Sequence, residues 1–193
     1  MKVAFGLKAH SGWAALVVVG KQRDNFVVVD RRRLELVKQQ WQKQPYHAAE
    51  ILPPDRARAV VNKGVTAARS GAIRELRRAL KQEQRHNVSV CAVLVGEPMP
   101  KWSTDEILAV HFRMHKAEGV LFREVLIRAA KTCGLKVVTI PEKQLQSQAE
   151  STLKIPPSQL PKVVATLGKA VGAPWGKDQK DAALAAMIAL QAR

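Results

Sequence analysis

The first third of the chain alternates short apolar runs with polar turns. Apolar residues concentrate in four runs, at 3–8, 12–20, 26–29 and 31–37. Valine-rich runs of this length, separated by turns such as the polar stretch 21–25, are typical of strands joined by hairpins. The pattern predicts an antiparallel meander of three strands, followed by a polar connection over residues 39–52.

The spacing of the apolar positions becomes helical between residues 55 and 85. One face is apolar, with Ala57, Val61, Val65, Ala68, Ala72 and Leu76. These intervals of three and four predict a long helix, with Asp55 as its N-cap. The opposite face has a row of cations, which we call the basic stripe: Arg56, Lys63, Arg74, Arg78, Lys81 and Arg85. Such a row is either a solvated outer face or a ridge that follows phosphates.

The second half of the chain alternates predicted strands and helices. Residues 88–96 form a continuous apolar run, which is typical of a strand buried on both faces. Ser103 and Glu106 have the spacing of a capping box and open a helix predicted to end at Cys133, before Gly134. The remaining pattern predicts a strand at 136–141, a polar connection at 142–157 and helices at 160–171 and 177–192.

This order of elements predicts an α/β fold. Three antiparallel strands followed by β-α-β elements give a five-stranded mixed sheet flanked by helices. The 193 residues are enough to bury a core, and we expect a single domain over residues 1–193. No signal peptide is recognised, no apolar run has membrane-spanning length, and neither Cys91 nor Cys133 belongs to a CxxC motif. We therefore expect a cytoplasmic protein and no membrane partner.

The charge balance indicates the kind of partner. The chain has 32 Lys and Arg against 16 Asp and Glu, a formal net charge of +16. A field of this sign attracts polyanions and favours DNA or RNA as the partner. Arg31, Arg32 and Arg33, together with the basic stripe, are the residues expected to contact phosphates. A protein partner or a homodimer stays open as an alternative.

Three segments bear a resemblance to a known family. Phe5-Gly6-Leu7-Lys8 followed by Ser11-Gly12-Trp13-Ala14 is similar to the family's opening strand and turn. Glu97 follows the predicted fourth strand at the family's second acidic position, and Asp178 and Asp181 precede an Ala-Leu-rich helix. The chain thus resembles the ribonuclease H-like superfamily, in its RuvC-type resolvase branch. The resemblance implies a cluster of carboxylates that holds two Mg²⁺ for phosphodiester hydrolysis.

The first-strand position departs from the family pattern. Lys8 stands where the branch has the aspartate that bridges both metals. A lysine there removes one anion and adds one cation, so it is expected to pair with Glu97, Asp178 or Asp181 and to oppose Mg²⁺ binding. Each acid also has a purely structural interpretation. Glu97 is then a loop acid, Asp178 caps the last helix, and Asp181 complements the helix dipole.

A second group of polar residues lies on the long predicted helix. His111, His115 and Glu118 are spaced by four and three residues and share one face. Histidines at i and i+4 are a known zinc arrangement, so these three are an alternative metal site. The competing interpretation is packed or solvent-exposed histidines without a ligand.

Three functions are consistent with these observations. The first is a nucleic-acid-binding RNase H-like protein whose carboxylate site, formed by Glu97, Asp178 and Asp181 around Lys8, is non-catalytic and needs no cofactor. The second is a Mg²⁺-dependent nuclease or resolvase with an altered set of ligands. The third is a protein-binding adaptor on a degenerate nuclease fold. Metal-dependent cleavage and salt-dependent binding of DNA or RNA distinguish them.

Overall fold

A five-stranded mixed sheet forms the centre of the molecule. The computed structural model describes residues 1–23 and 25–192, so Asp24 of the predicted turn and Arg193 lie outside it. The strands are β1 (Lys2–His10), β2 (Trp13–Gln22), β3 (Asn25–Glu35), β4 (Asn87–Val95) and β5 (Lys136–Pro141). Their order is β3-β2-β1-β4-β5, with β1 in the middle. The first three strands are antiparallel neighbours, whereas β4 and β5 run parallel to β1, which confirms the predicted fold class.

Helices cover both faces of this sheet. They are α1 (Pro54–Gln82), α2 (Thr104–Leu108), α3 (His111–Thr132), α4 (Leu145–Leu153), α5 (Leu160–Lys169) and α6 (Lys177–Gln191). Helices α1 and α3 pack on one face of the sheet, and α4, α5 and α6 pack on the other. Short 3-10 helices lie at Gln40–Lys43, His47–Ala49 and Glu142–Gln144. None of the described helices combines the length and the apolarity that a membrane crossing needs.

The third strand is a single element, although the sequence has two separate apolar runs in this region. Val18 pairs with Asp30 but Val19 pairs with Val28, so Val29 is an extra residue on β3. A bulge of this kind shifts the alternation of inward and outward side chains by one position. The runs at 26–29 and 31–37 therefore looked separate, although the backbone continues from one into the other.

The predicted helix at 103–133 is two helices. The capping box at its start is confirmed, since Glu106 N–H donates to Ser103 Oγ at 3.2 Å and Ser103 N–H donates to Glu106 Oε2 at 2.7 Å. Helix α2 ends after one turn, and the β-branched Val110 has an extended backbone before α3 begins. Arg113 Nη1 donates to the Glu106 carbonyl at 2.9 Å, which satisfies a carbonyl group freed by the early end of α2.

Two other boundaries also differ from the prediction. The connection expected at 142–157 contains α4, whose apolar residues Leu145, Ala149 and Leu153 recur every four positions in an otherwise polar segment and are buried. The predicted N-cap of α1 is wrong: Pro53 is the N-cap and Asp55 lies in the first turn. Gly134 does end α3, with a φ of 77° that favours glycine.

Alternation along β1 determines which of its side chains reach α6. Phe5 and Leu7 belong to the core beneath α1 and α3, so Gly6 and Lys8 face the opposite side of the sheet. A Cβ on Gly6 would lie 1.8 Å from the carbonyl oxygen of Ala182 in α6. The missing side chain therefore allows α6 to lie directly on β1. This close approach brings the first turns of α6 to Lys8.

Candidate functional site

A buried lysine faces three carboxylates at the carboxyl end of β1. Lys8 Nζ lies 2.6 Å from Asp181 Oδ2, 3.7 Å from Asp178 Oδ1 and 3.6 Å from Glu142 Oε2. The lysine is 7% exposed, and the three acids are partly buried. We call these four residues the Lys8 cluster. The structure thus brings together three of the sequence-predicted residues and adds Glu142.

The start of α6 places both aspartates on Lys8. Asp178 and Asp181 are three residues apart, so they project from the same face of the helix. The N-cap is Gly176, whose N–H donates to Gln179 Oε1 at 3.0 Å. Asp178 therefore does not cap the helix. Both carboxylates are free to face Lys8, at the helix end where the dipole favours negative charge.

Glu142 was not predicted as a site residue, although its place directly after a strand could have indicated it. It directly follows β5, and the carboxyl ends of the parallel strands β1, β4 and β5 meet at one edge of the sheet. Glu97 follows β4 at the same edge, but its carboxylate accepts a hydrogen bond from Lys143 Nζ at 2.6 Å. The Glu97 carboxylate lies beyond the 4.0 Å of an ion pair from Lys8 Nζ, so Glu97, one of the three acids expected to pair with Lys8, does not pair with it. Its side chain is 70% exposed.

Further cations neutralise the acids of the Lys8 cluster. Lys177 Nζ lies 2.7 Å from Asp181 Oδ2, so this oxygen accepts from two ammonium groups. Arg123 Nη2 donates to Glu142 Oε1 at 2.9 Å. Counting Glu97 and its partner Lys143, four carboxylates face four cationic side chains. The formal charges of these eight side chains therefore sum to zero.

A stack of planar side chains leads from the Lys8 cluster toward the surface. His10 Nε2 lies 3.0 Å from Asp178 Oδ2. The His10 ring stacks on Trp13, with centroids 4.2 Å apart and the two planes within 7° of parallel. The Arg33 guanidinium lies 3.7 Å from the centroid of the Trp13 ring. Cation–π attraction thus holds an exposed arginine beside the stack.

The charges in the Lys8 cluster stabilise one another. Burial alone would lower the pKa of Lys8, but its hydrogen bond to Asp181 and the attraction of Asp181, Glu142 and Asp178 outweigh burial and raise it above the ordinary 10.5. For Asp181, burial favours the neutral acid, yet the hydrogen bonds from Lys177 and Lys8 hold its pKa below the ordinary 3.8. Both groups are therefore charged at neutral pH.

The Lys8 cluster does not fit the two Mg²⁺ ions of the mechanism that the sequence resemblance implies. That mechanism needs ions about 3.5–4 Å apart, held by carboxylates that are not already neutralised. Here the ammonium of Lys8 occupies the space between the aspartates, and Asp181 Oδ2 has two cationic partners already. A metal would have to displace Lys8 from a buried ion pair. We therefore assign no metal-dependent step to these residues.

The contribution of the Lys8–Asp181 ion pair to stability should depend on pH. Asp181 contributes stability above its unfolded pKa and loses it as pH falls through its lowered folded pKa. Lys8 contributes below its unfolded pKa and loses it as pH rises through its raised folded pKa. The difference in unfolding free energy between the wild type and Lys8→Met should be constant from about pH 5 to 9. It should shrink below about pH 4 and above about pH 10.5. Denaturant titrations across this range measure it, and a difference that does not change with pH would contradict the pairing.

The three consecutive arginines of β3 lie in different surroundings. Arg31 donates to the carbonyl oxygens of Ala173 at 2.6 Å and of Pro174, so it ties β3 to the segment before α6. Arg32 pairs with Asp30 and with Glu83, whereas Arg33 is exposed and pairs with Glu35.

Five of the six residues of the basic stripe follow the solvent side of α1. The helix ends at Gln82, earlier than predicted, so Arg85 lies in the turn that follows it. All six residues of the stripe are exposed. Arg74 pairs with Glu75 at 3.0 Å. The other five have no ion pair within 4.0 Å among residues 1–23 and 25–192: Arg56, Lys63, Arg78, Lys81 and Arg85. At 1.5 Å per residue, the helical part of the stripe, from Arg56 to Lys81, is roughly 38 Å long.

The C-terminal part of the stripe borders a groove between β3 and α1. It is lined by the acids Asp30, Glu75 and Glu83 and by four arginines: Arg32, Arg33, Arg78 and Arg85. Its volume is about 570 Å³, and its lining is largely polar. The structure therefore brings part of the basic stripe together with two of the β3 arginines, in what we call the β3–α1 groove.

The predicted histidine site has a different composition from the expected one. His111 and His115 lie in the first two turns of α3, with their Nε2 atoms 3.1 Å apart. Their third neighbour is His47, from the connection between β3 and α1. Glu118 instead lies behind His47 and accepts from its Nδ1 at 2.7 Å. No sequence spacing relates His47 to α3, so it was missed.

The architecture described above is the RuvC-type ribonuclease H-like fold. The Thermus thermophilus RuvC structure aligns with a TM-score of 0.52 at 13% identity, covering 96% of this chain and 92% of that one. T. thermophilus RuvC in complex with a Holliday junction substrate aligns with a TM-score of 0.53 at 12% identity, covering 96% and 91%. No protein-family model and no curated protein matches the sequence.

Proposed function

We propose that this protein binds nucleic acid through its RuvC-type fold and does not cleave it. The observation that supports this most directly is Lys8, whose ammonium lies among Asp178, Asp181 and Glu142 at the carboxyl end of β1. A nuclease of this fold needs negative charge there to hold its metal ions. In this chain that charge is already neutralised by the protein's own side chains.

Charge and shape support the nucleic-acid partner. The net charge of +16 attracts phosphates, and the basic stripe places cations at helical intervals along one exposed line. The β3–α1 groove adds Arg78 and Arg85, which have no ion pair within 4.0 Å among the described residues and can each donate two hydrogen bonds to a phosphate. The structurally similar RuvC was solved with a Holliday junction substrate, which makes branched DNA the first probe to use.

Binding should weaken steeply with salt, and the β3–α1 groove should account for part of the slope. The logarithm of the binding constant is expected to fall by about 0.9 per neutralised phosphate for each unit of log salt on duplex DNA. The double variant Arg78→Gln/Arg85→Gln removes two unpaired cations and should reduce the slope by about 1.8. Fluorescence anisotropy with labelled junction, duplex and single-stranded probes measures this slope.

A matched control removes the same charge from the other side of the sheet. The double variant Lys162→Gln/Lys169→Gln on α5 lowers the net charge equally but should leave the slope nearly unchanged. Equal effects of the two double variants would contradict the assignment of the groove. No binding of any probe at low salt would contradict the nucleic-acid function and favour the adaptor hypothesis.

Incubating the same probes with Mg²⁺ or Mn²⁺ tests the second half of the proposal. The wild type should leave every probe intact. Cleavage that disappears in Asp178→Ala would overturn the proposal and establish the nuclease alternative with an altered set of ligands. Cleavage that persists in Asp178→Ala would indicate a contaminating nuclease, and a preparation free of it would then have to leave the probes intact.

A further inference from the structure

Three histidines from two separate parts of the fold converge on one point. One nitrogen from each of His47, His111 and His115 lies within 4.8 Å of the other two. The ring centroids are 4.5 to 5.1 Å apart. His47 belongs to the 3-10 helix between β3 and α1, and the other two begin α3.

Two carboxylates fix the orientation of the rings. Glu118, which is 5% exposed, lies with Oε2 2.7 Å from His47 Nδ1. Its Oε1 accepts from the backbone N–H groups of Tyr46 and His47, each at 3.1 Å. Glu50 Oε1 lies 3.1 Å from His111 Nδ1. A carboxylate at Nδ1 retains the proton there and leaves the lone pair on Nε2, the arrangement found behind metal-bound histidines.

One nitrogen of each ring lies where a shared metal ion could reach it. His47 Nε2 is buried and has no hydrogen-bond partner among the described residues. His111 Nε2 and His115 Nε2 are 3.1 Å apart. Two imidazole nitrogens at 2.0–2.1 Å from one tetrahedral ion are about 3.3 Å apart, close to the separation of His111 Nε2 and His115 Nε2, and an ion would replace the hydrogen bond between these two atoms.

We propose that His47, His111 and His115 bind one Zn²⁺ ion through their Nε2 atoms, with Glu118 and Glu50 orienting His47 and His111. Three neutral imidazoles favour a borderline transition ion over Mg²⁺ or Ca²⁺, which prefer oxygen ligands. The charges balance, because the two carboxylates compensate one divalent ion. The fourth ligand position faces solvent, since His111 and His115 are exposed.

The ion would link the segment between β3 and α1 to the start of α3. His47 and His111 are separated by α1, β4 and α2 in sequence, so a shared ion closes a long loop of the chain. A small apolar cluster that includes Ala49, Ala57 and Leu108 lies in the same region. Zinc should therefore stabilise this corner of the molecule. The site uses none of the residues of the Lys8 cluster or of the β3–α1 groove.

Titration of tag-free, chelator-treated protein with Zn²⁺ tests the proposal. Calorimetry should show one ion per chain, and Co²⁺ at the same site should give the intense visible absorption of a four-coordinate ion. His115→Ala removes an exposed ligand with little risk to folding and should weaken binding more than about 100-fold. Glu118→Gln should weaken it about 10–100-fold, because it removes only the group that orients His47.

His86→Ala is the matched control, since it removes a histidine outside the site and should leave both the affinity and the cobalt spectrum unchanged. The proposal is overturned if the wild type shows no saturable one-to-one binding of Zn²⁺. It is equally overturned if His115→Ala binds as tightly as the wild type. Neither result depends on nucleic acid, so this proposal and the proposed function are tested separately.

Discussion

Replacing Lys8 with aspartate should lower the unfolding free energy of the metal-free protein by about 3 kcal/mol or more. Removing one partner from a buried ion pair typically costs about 3–5 kcal/mol, and the aspartate also adds a fourth anion to the Lys8 cluster. The partial exposure of the acids favours the lower end of this range. For a chain of this length the midpoint of thermal unfolding should fall by roughly 6–12 °C.

The same substitution should create a site for divalent cations. Four carboxylates would then face one another without Lys8, and hard oxygen ligands suit Mg²⁺ and Mn²⁺. Calorimetry should detect Mn²⁺ binding to Lys8→Asp and none to this cluster in the wild type. Saturating Mn²⁺ should also restore part of the lost thermal stability, because an ion that binds only the folded state stabilises it. DNA cleavage is not required, since the substrate must also be positioned correctly.

Lys8→Met separates the two effects. It removes the ammonium but adds no carboxylate, so it should be destabilised and should bind Mn²⁺ more weakly than Lys8→Asp. Wild-type protein that bound Mn²⁺ as well as Lys8→Asp would show that Lys8 does not neutralise the carboxylates. The assignment of Lys8 to the metal-bridging position would then be wrong.

Much of the fold was predictable because local periodicity and burial agree. The apolar run at 88–96 became β4. Of the apolar face of α1, Ala68, Ala72 and Leu76 pack on the sheet, whereas Ala57 and Val61 pack with Ala49 of the β3–α1 connection. The failures have local causes. The bulge at Val29 broke the alternation of β3, and the break before α3 depends on the extended backbone at Val110. No composition signal marks either feature.

The candidate site was predictable only where one element or the family pattern related its residues. Asp178 and Asp181 share one helical turn, and their resemblance to the family linked them to Lys8. Glu142 followed a predicted strand and could have been found from the rule that parallel strands end at one edge. His47 could not have been found in this way. It meets His111 only because the β3–α1 connection folds against α3, and sequence spacing does not show such a contact.

The close approach of α6 to β1 explains why the Lys8 cluster can form at all. Gly6 lies two residues before Lys8, and Ala182 directly follows Asp181. A Cβ on Gly6 would lie 1.8 Å from the Ala182 oxygen, a backbone atom that cannot rotate away as a flexible side chain can. Any substitution at Gly6 must therefore push α6 outward, and Asp181 would move away from Lys8 with it.

Gly6→Ala should accordingly destabilise the protein by about 3 kcal/mol or more, at or beyond the upper end of typical overpacking costs. Gly119→Ala is the matched control, because a Cβ there meets only Arg123 Nη1 at 3.9 Å in the exposed interior of α3. It should be neutral or stabilising by about 0.5–1 kcal/mol, since alanine favours helix. Urea titration of both variants measures the difference. An unfolding free energy for Gly6→Ala within about 1 kcal/mol of the wild type would mean that α6 does not lie directly on β1, and the Lys8–Asp181 pair would lose its structural basis.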